Sequence, residues 1–194
     1  MFILNRTSSR GFTLVELIVS ITVIAAGVAG ILLTLNIAVR ESADPLIQKQ
    51  ALAIAESLLE EIQLMPFTYC DPDDAQAETA TSATVGVNGC AITVEAIGPE
   101  ASEARNPTGP QTPFDNVNDY HGFSMTGIVD ITGAAIAGLG AYAANVTVVQ
   151  QALSGPPNVP AAESLLITVS VTGPGSTSVQ LSGYRTRFAP NLLP

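Results

Sequence analysis

The chain has 194 residues, of which 12% are charged, and its 17 acids against 7 bases give a formal charge of −10. So acidic and lysine-poor a chain makes a poor candidate for binding nucleic acid or anionic lipid, because both need clustered cations. Its length allows a membrane helix and one globular domain of about 150 residues with a single core.

Taken in chain order, Arg6 and Arg10 stand before an uncharged run from Leu17 to Val39, 23 residues long. As a helix rising 1.5 Å per residue this run extends roughly 35 Å, enough to cross a hydrocarbon core of about 30 Å. Arg40, Glu41 and Asp44 follow closely, so the basic residues without acidic neighbours lie on the N-terminal side. That end is expected in the cytoplasm, with the remainder exported. A secretory signal peptide has a shorter apolar core, about 7–15 residues, and the run continues well past Ala26-Gly27-Val28-Ala29, which would mimic its cut site. A plain signal anchor fits the length and leaves Glu16 unexplained. An ionisable residue in a span costs about 2.5–3.5 kcal/mol near the bilayer centre, and less at the ends, so it signals function. Cleavage after Gly11 would account for it. Phe12 would become an N-terminus whose ammonium lies one helical turn from Glu16. The amine would neutralise the carboxylate within one chain, or in a neighbouring subunit, where the pair would also set axial register.

The junction Gly11-Phe12-Thr13-Leu14-Val15-Glu16 resembles the prepilin cleavage motif of type IV pilins and of the pseudopilins of type II secretion. The resemblance implies a cytoplasmic leader (1–11), cleavage by a prepilin peptidase between Gly11 and Phe12, and N-methylation of Phe12. It also implies that Glu16 serves in subunit docking. Other major and minor pilins would be the partners, with inner-membrane lipid around the helix before assembly.

After the span (12–41), Ser42-Ala43-Asp44-Pro45 is expected to kink or restart the helix, since proline lacks a donor and disfavours helix in the residue before it. An amphipathic second half (42–66) follows, with Leu46, Leu52, Leu58, Leu59, Ile62 and Met65 near helical spacing, and Gln48, Lys49, Glu56, Glu60 and Glu61 on other faces. Met65-Pro66 ends it. The rest (67–194) reads as an exported β-rich domain. Residues 66–89 are loop-like, 90–97 alternate as a strand, and 98–120 form an irregular connection broken by four prolines. Strand-like runs follow at 123–131, 141–150, 164–172 and 178–188. In the third of these Leu165, Ile167, Val169 and Val171 alternate with Leu166, Thr168, Ser170 and Thr172, and Gly173 to Thr177 reads as a hairpin connection. The fold class expected is α+β and pilin-like: a long N-terminal helix packed against a mostly antiparallel sheet of five strands.

Several stretches narrow the resemblance to the MshD type of minor pilin, from the biogenesis of the mannose-sensitive haemagglutinin (MSHA) pilus. They are Ser42-Ala43-Asp44-Pro45, Gln50 to Glu56, Cys70-Asp71-Pro72-Asp73-Asp74, Phe114 to Gly122 and Tyr184-Arg185-Thr186-Arg187. Minor pilins of the PilV type and the GspI type of pseudopilin are close rivals. A main structural pilin fits less well, because most carry a proline within the span and none occurs between Phe12 and Asp44.

Two cysteines, Cys70 and Cys90, in an exported domain argue for one disulfide; the alternative is two free buried thiols. With the lone His121 they are too few for a structural zinc site. His121 with Asp115 or Asp119 would need a nucleophile motif such as Gly-x-Ser-x-Gly, and none is present, so no enzyme and no cofactor are expected. Asp71, Asp73 and Asp74, and Asp115, Asn116, Asn118 and Asp119, are weak calcium candidates that offer hard oxygens without EF-hand spacing. Solvated acidic loops are the simpler reading, with Asp71 and Asp73 in Asx turns beside the disulfide. A tip-located adhesin or calcium-binding module is the corresponding functional alternative. Arg185 and Arg187, two apart on a strand, await acids either of a neighbouring subunit or of this chain, such as Asp115 or Asp119.

Overall fold

A computed structural model describes residues 11–193, with the side chains of 36–44 outside the description. Residues 1–10 with Arg6 and Arg10, and the side chains of Arg40, Glu41 and Asp44, therefore lie outside the described residues. The chain divides into two compact units, 1–45 and 46–194. The elements are α1 (Leu14–Leu64), β1 (Glu103–Ala104), β2 (Thr112–Pro113), a 3₁₀ turn (Val117–Tyr120), β3 (Ser124–Thr126), β4 (Ala143–Gln150), β5 (Ser164–Thr172) and β6 (Ser178–Thr186). An apolar N-terminal helix with an antiparallel sheet is the α+β, pilin-like class expected.

In the first unit Leu14–Leu35 form a helical segment of 22 residues with mean hydropathy 2.5, long and apolar enough to cross a membrane and wholly unburied. The helical assignment continues through Pro45, so no restart occurs there.

In the second unit the helix buries Ala51, Ile54, Ala55, Leu58 and Ile62, a stripe of period 3–4. Leu46 and Leu52, expected on that stripe, are exposed. The buried face is rotated toward the two alanines, because small side chains let the helix axis come close to the sheet. Against this stripe lies a four-stranded antiparallel meander in the order β3-β4-β5-β6. Its inner rows are in register, with Ala144 opposite Val171, Val146 opposite Val169 and Val148 opposite Ile167, all buried. On β6, Val179 and Leu181 continue the rows opposite Val171 and Val169. The alternation read in β5 is therefore a core row facing the helix.

The sheet has four strands, not five, and the loss falls on 90–97. That segment makes only isolated bridges, Cys70 with Val94 and Val85 with Cys90. The alternating side chains are there, but the N–H groups of Ala91, Ile92 and Thr93 donate to the carboxylate of Asp74 at 2.8, 2.7 and 2.9 Å. A side chain has captured the donors that a strand ladder would use. The run at 123–131 also shortens, to Ser124–Thr126, since Gly127 takes a positive φ of 75° and Asp130 closes a turn on the N–H groups of Thr132 and Ala134. Conversely the irregular 98–120 contains the short parallel pair β1–β2 and the 3₁₀ turn.

The β5–β6 hairpin passes close to the core at Gly173. A Cβ there would lie 2.6 and 2.7 Å from ring carbons of Tyr142, which is buried and held by its hydroxyl donating to Gln50 Oε1 at 2.7 Å. Gly173→Ala should destabilise the domain by about 1–3 kcal/mol through overpacking, read as a lower midpoint in denaturant unfolding. An unchanged midpoint would show that the Tyr142 ring yields freely.

Candidate functional site

At the N-terminal junction Gly11, Phe12 and Thr13 precede the helix, and Phe12 is 79% exposed. Thr13 caps it: its Oγ1 accepts from the Glu16 N–H at 3.3 Å, and its carbonyl from the Leu17 N–H at 3.1 Å. Threonine followed three residues later by glutamate is the sequence of a capping box. Glu16 lies in the first turn, where the positive end of the helix dipole favours an anion. Its side chain is exposed.

Residues 6–32 match the prokaryotic N-terminal methylation motif. The chain carries a prepilin-type signal. The match supports a subunit of the type IV pilin or pseudopilin kind, a structural class processed by prepilin peptidase. No curated protein and no solved structure matches the chain.

In the second unit Cys70 and Cys90 form a disulfide with Cα atoms 5.4 Å apart, closing a loop 20 residues long. Such a loop contributes on the order of 3 kcal/mol in the chain-entropy account. The acidic residues around it divide into two groups. Asp74 has both carboxylate oxygens occupied by backbone, accepting from Gln76 at 2.9 Å as well as from the 91–93 segment. Those N–H donors, that of Thr93 foremost, hold its carboxyl well below the usual carboxylate range. Asp73 donates its N–H to Asp71 Oδ1 at 2.7 Å, the Asx turn expected.

The other group converges. Asp71, Asp115 and Glu103 bring carboxylate oxygens within 4.8 Å of one another, and so do Asp119, Glu95 and Glu100. Backbone hydrogen bonds assemble them. Glu95 N–H donates to Tyr69 O beside the disulfide, and Gly98 N–H to Asn118 O. Phe114 N–H donates to Ala104 O, extending the β1–β2 pair that sets Glu103 near Asp115. Asp119 Oδ2 accepts from Asn116 N–H at 2.7 Å and Asp115 N–H at 3.0 Å, fixing its carboxylate across the start of the 3₁₀ turn. Burial pushes Glu95 up to about 10, Glu103 to about 8, Asp115 to about 7 and Asp119 to about 6, and like-charge neighbours add to each. Sequence reasoning missed all three glutamates. Their recurrence across a proline-broken loop was the available signal.

His121 Nδ1 accepts from the Val148 N–H at 3.2 Å, a structural contact with β4. Of the two arginines, Arg187 pairs with Glu163 at 3.2 Å and stacks on Phe67 and Tyr69, its guanidinium carbon 3.9 and 4.5 Å from the ring centres. Arg185 lies 4.9 Å over Phe188, and burial lowers its pKa. Neither pairs with Asp115 or Asp119.

A further polar assembly was not read from the sequence. Glu61, on the helix, receives both Nε and Nη2 of Arg105 at 2.7 Å and the Tyr120 hydroxyl at 2.9 Å. Arg105 also donates to the carbonyls of Val129 and Asp130. The guanidinium thus ties the 98–114 connection and the 128–131 turn to the helix, and Glu61 itself holds the 3₁₀ turn through the Tyr120 hydroxyl. Arg105→Ala should cost about 3–5 kcal/mol in denaturant unfolding, since it leaves a carboxylate unpaired. The Arg105→Ala/Glu61→Gln double variant should recover part of that loss. Strict additivity of the two single losses would contradict the pairing.

Proposed function

We propose that the protein is a minor pilin of the MshD type, a structural and assembly subunit of a type IV pilus with no turnover of its own. The observation that carries this reading is the methylation motif at 6–32 running into a 22-residue apolar helical segment that its own chain leaves uncovered. In this reading prepilin peptidase removes residues 1–11 and Phe12 becomes the N-methylated terminus. The span (12–41) sits in the inner membrane with its N-terminal end cytoplasmic and the β-rich domain (67–194) periplasmic. Loss of Arg6 and Arg10 takes the formal charge from −10 to −12. The helix then leaves lipid for a bundle of other major and minor pilins, where a Phe12 amine meets Glu16. A subunit present in few copies would act in initiating or capping the filament.

The pairing has a physical reason on each side. A carboxylate among apolar helices needs a counterion, and an ammonium at a helix N-terminus opposes the helix dipole unless an anion offsets it. The same observation supports a type II secretion pseudopilin. Crosslinking from Ser20→Cys, followed by identification of the captured subunit, separates the two.

Gly11→Leu should leave full-length precursor in the membrane; unchanged trimming on a gel would reject this cut site. Glu16→Ala should still be trimmed yet enter filaments poorly, because an unpaired amine would remain in the bundle. Incorporation at the unaltered level would count against the Phe12–Glu16 pair. Mass analysis of the processed chain should place its first residue at Phe12.

A further inference from the structure

Six carboxylates from three separate segments converge in the second unit, and none forms an ion pair with lysine or arginine among the described residues, where the ion pairs are Arg105–Glu61 and Arg187–Glu163. An acidic cluster alone is ordinary on a protein surface. This one has an inner part that is not surface. Asp119 is wholly buried, and while its Oδ2 caps the 3₁₀ turn, its Oδ1 is enclosed with no hydrogen-bond partner. Both oxygens of Glu95 are likewise enclosed and without a partner. Buried polar atoms are nearly always satisfied, and buried charges are paired or bind metal. Three such oxygens, with no hydrogen-bond donor directed at them, belong to two residues whose carboxylates group with that of Glu100.

We propose that Glu95, Glu100 and Asp119 hold a calcium ion, bound in the negative field of the adjoining Asp71, Glu103 and Asp115. Oxygens bound to calcium at 2.3–2.6 Å can lie at most about 5 Å apart, and the three inner residues bring theirs within 4.8 Å of one another. The ligands come from loop positions of differing geometry, which suits the irregular six- to eight-oxygen sphere of calcium better than the strict octahedron of magnesium. The backbone already holds the site in shape. Asp119 is fixed by two N–H donors, Glu95 by its bond to Tyr69 beside the disulfide, and the 95–100 loop by Gly98 on Asn118. Bound calcium would join the 95–100 loop to the 3₁₀ turn, adding to the backbone bond of Gly98 on Asn118. This inference is independent of the filament reading, because it rests on the second unit alone.

The test uses the full chain in detergent, stripped with EDTA and melted with calcium chloride, magnesium chloride or EDTA. Calcium at a hundred times its Kd should raise the Tm by about 5–10 °C, with magnesium giving a much smaller shift. Calorimetry should count at least one calcium per chain. The Glu95→Gln/Glu100→Gln variant, which relieves repulsion and so should fold without calcium, should lose both the shift and the heat of binding. Melting that is the same in calcium and in EDTA would overturn the proposal and leave the cluster neutralised by protons. So would a calcium shift that persists in the double variant, or an equal shift from magnesium.

Discussion

Between Leu14 and Leu35, thirteen large aliphatic side chains stand exposed with no apolar surface of their own chain against them. At about 1.5–3 kcal/mol for each such side chain taken out of water, the segment carries roughly 20–40 kcal/mol of unsatisfied burial. That exceeds the 5–15 kcal/mol by which a folded domain is typically stable, so nothing within the globular unit can compensate for it. By length and composition the segment suffices to cross a membrane. The N-terminal methylation motif overlaps it and supports a subunit of the pilin or pseudopilin kind, which is why the one motif match bears so heavily on function.

The second unit answers a different demand. Its helix has an apolar stripe to cover and does so with the β4–β5 rows, while the long connection between helix and sheet contains little regular structure. Side chains and single backbone bonds do the work there. Asp74 gathers the 91–93 segment, Asn116 Nδ2 donates to Thr68 Oγ1 at 2.6 Å, and Arg105 joins the connection to Glu61. The disulfide shortens the same region in the unfolded state. A loop of this length pays a large ordering entropy, and directed polar contacts with one covalent staple replace the hydrophobic burial that it lacks.

That construction explains where sequence reasoning succeeded and where it failed. The apolar helix, its end at Met65-Pro66, the β4, β5 and β6 runs and the β5–β6 hairpin were legible, because each follows from a period or a breaker within one short window. Of the expected stripe, Leu58 and Ile62 are buried and Leu59 and Met65 pack against the core, whereas Leu46 and Leu52 are exposed and Ala51 and Ala55 turn inward, since small side chains let a helix face approach a sheet. The segment 90–97 has a sound strand pattern and no ladder. Its donors go to Asp74, 17 to 19 residues away, and no local pattern contains that competition.

By itself the sequence determined the N-terminal methylation motif at 6–32, the apolar length that it opens, the acid near its start, the half-buried strands and which two cysteines were available to pair. All of these are properties of residues near one another in the chain, where spacing is already geometry. Tertiary structure alone decided that Glu61 and Arg105 would meet, that Asp74 would serve the backbone, and that Asp71, Glu95, Glu100, Glu103, Asp115 and Asp119 would face one another. Those pairings depend on how loops return across the helix and sheet, and the field that six carboxylates make exists only once the chain has brought them together.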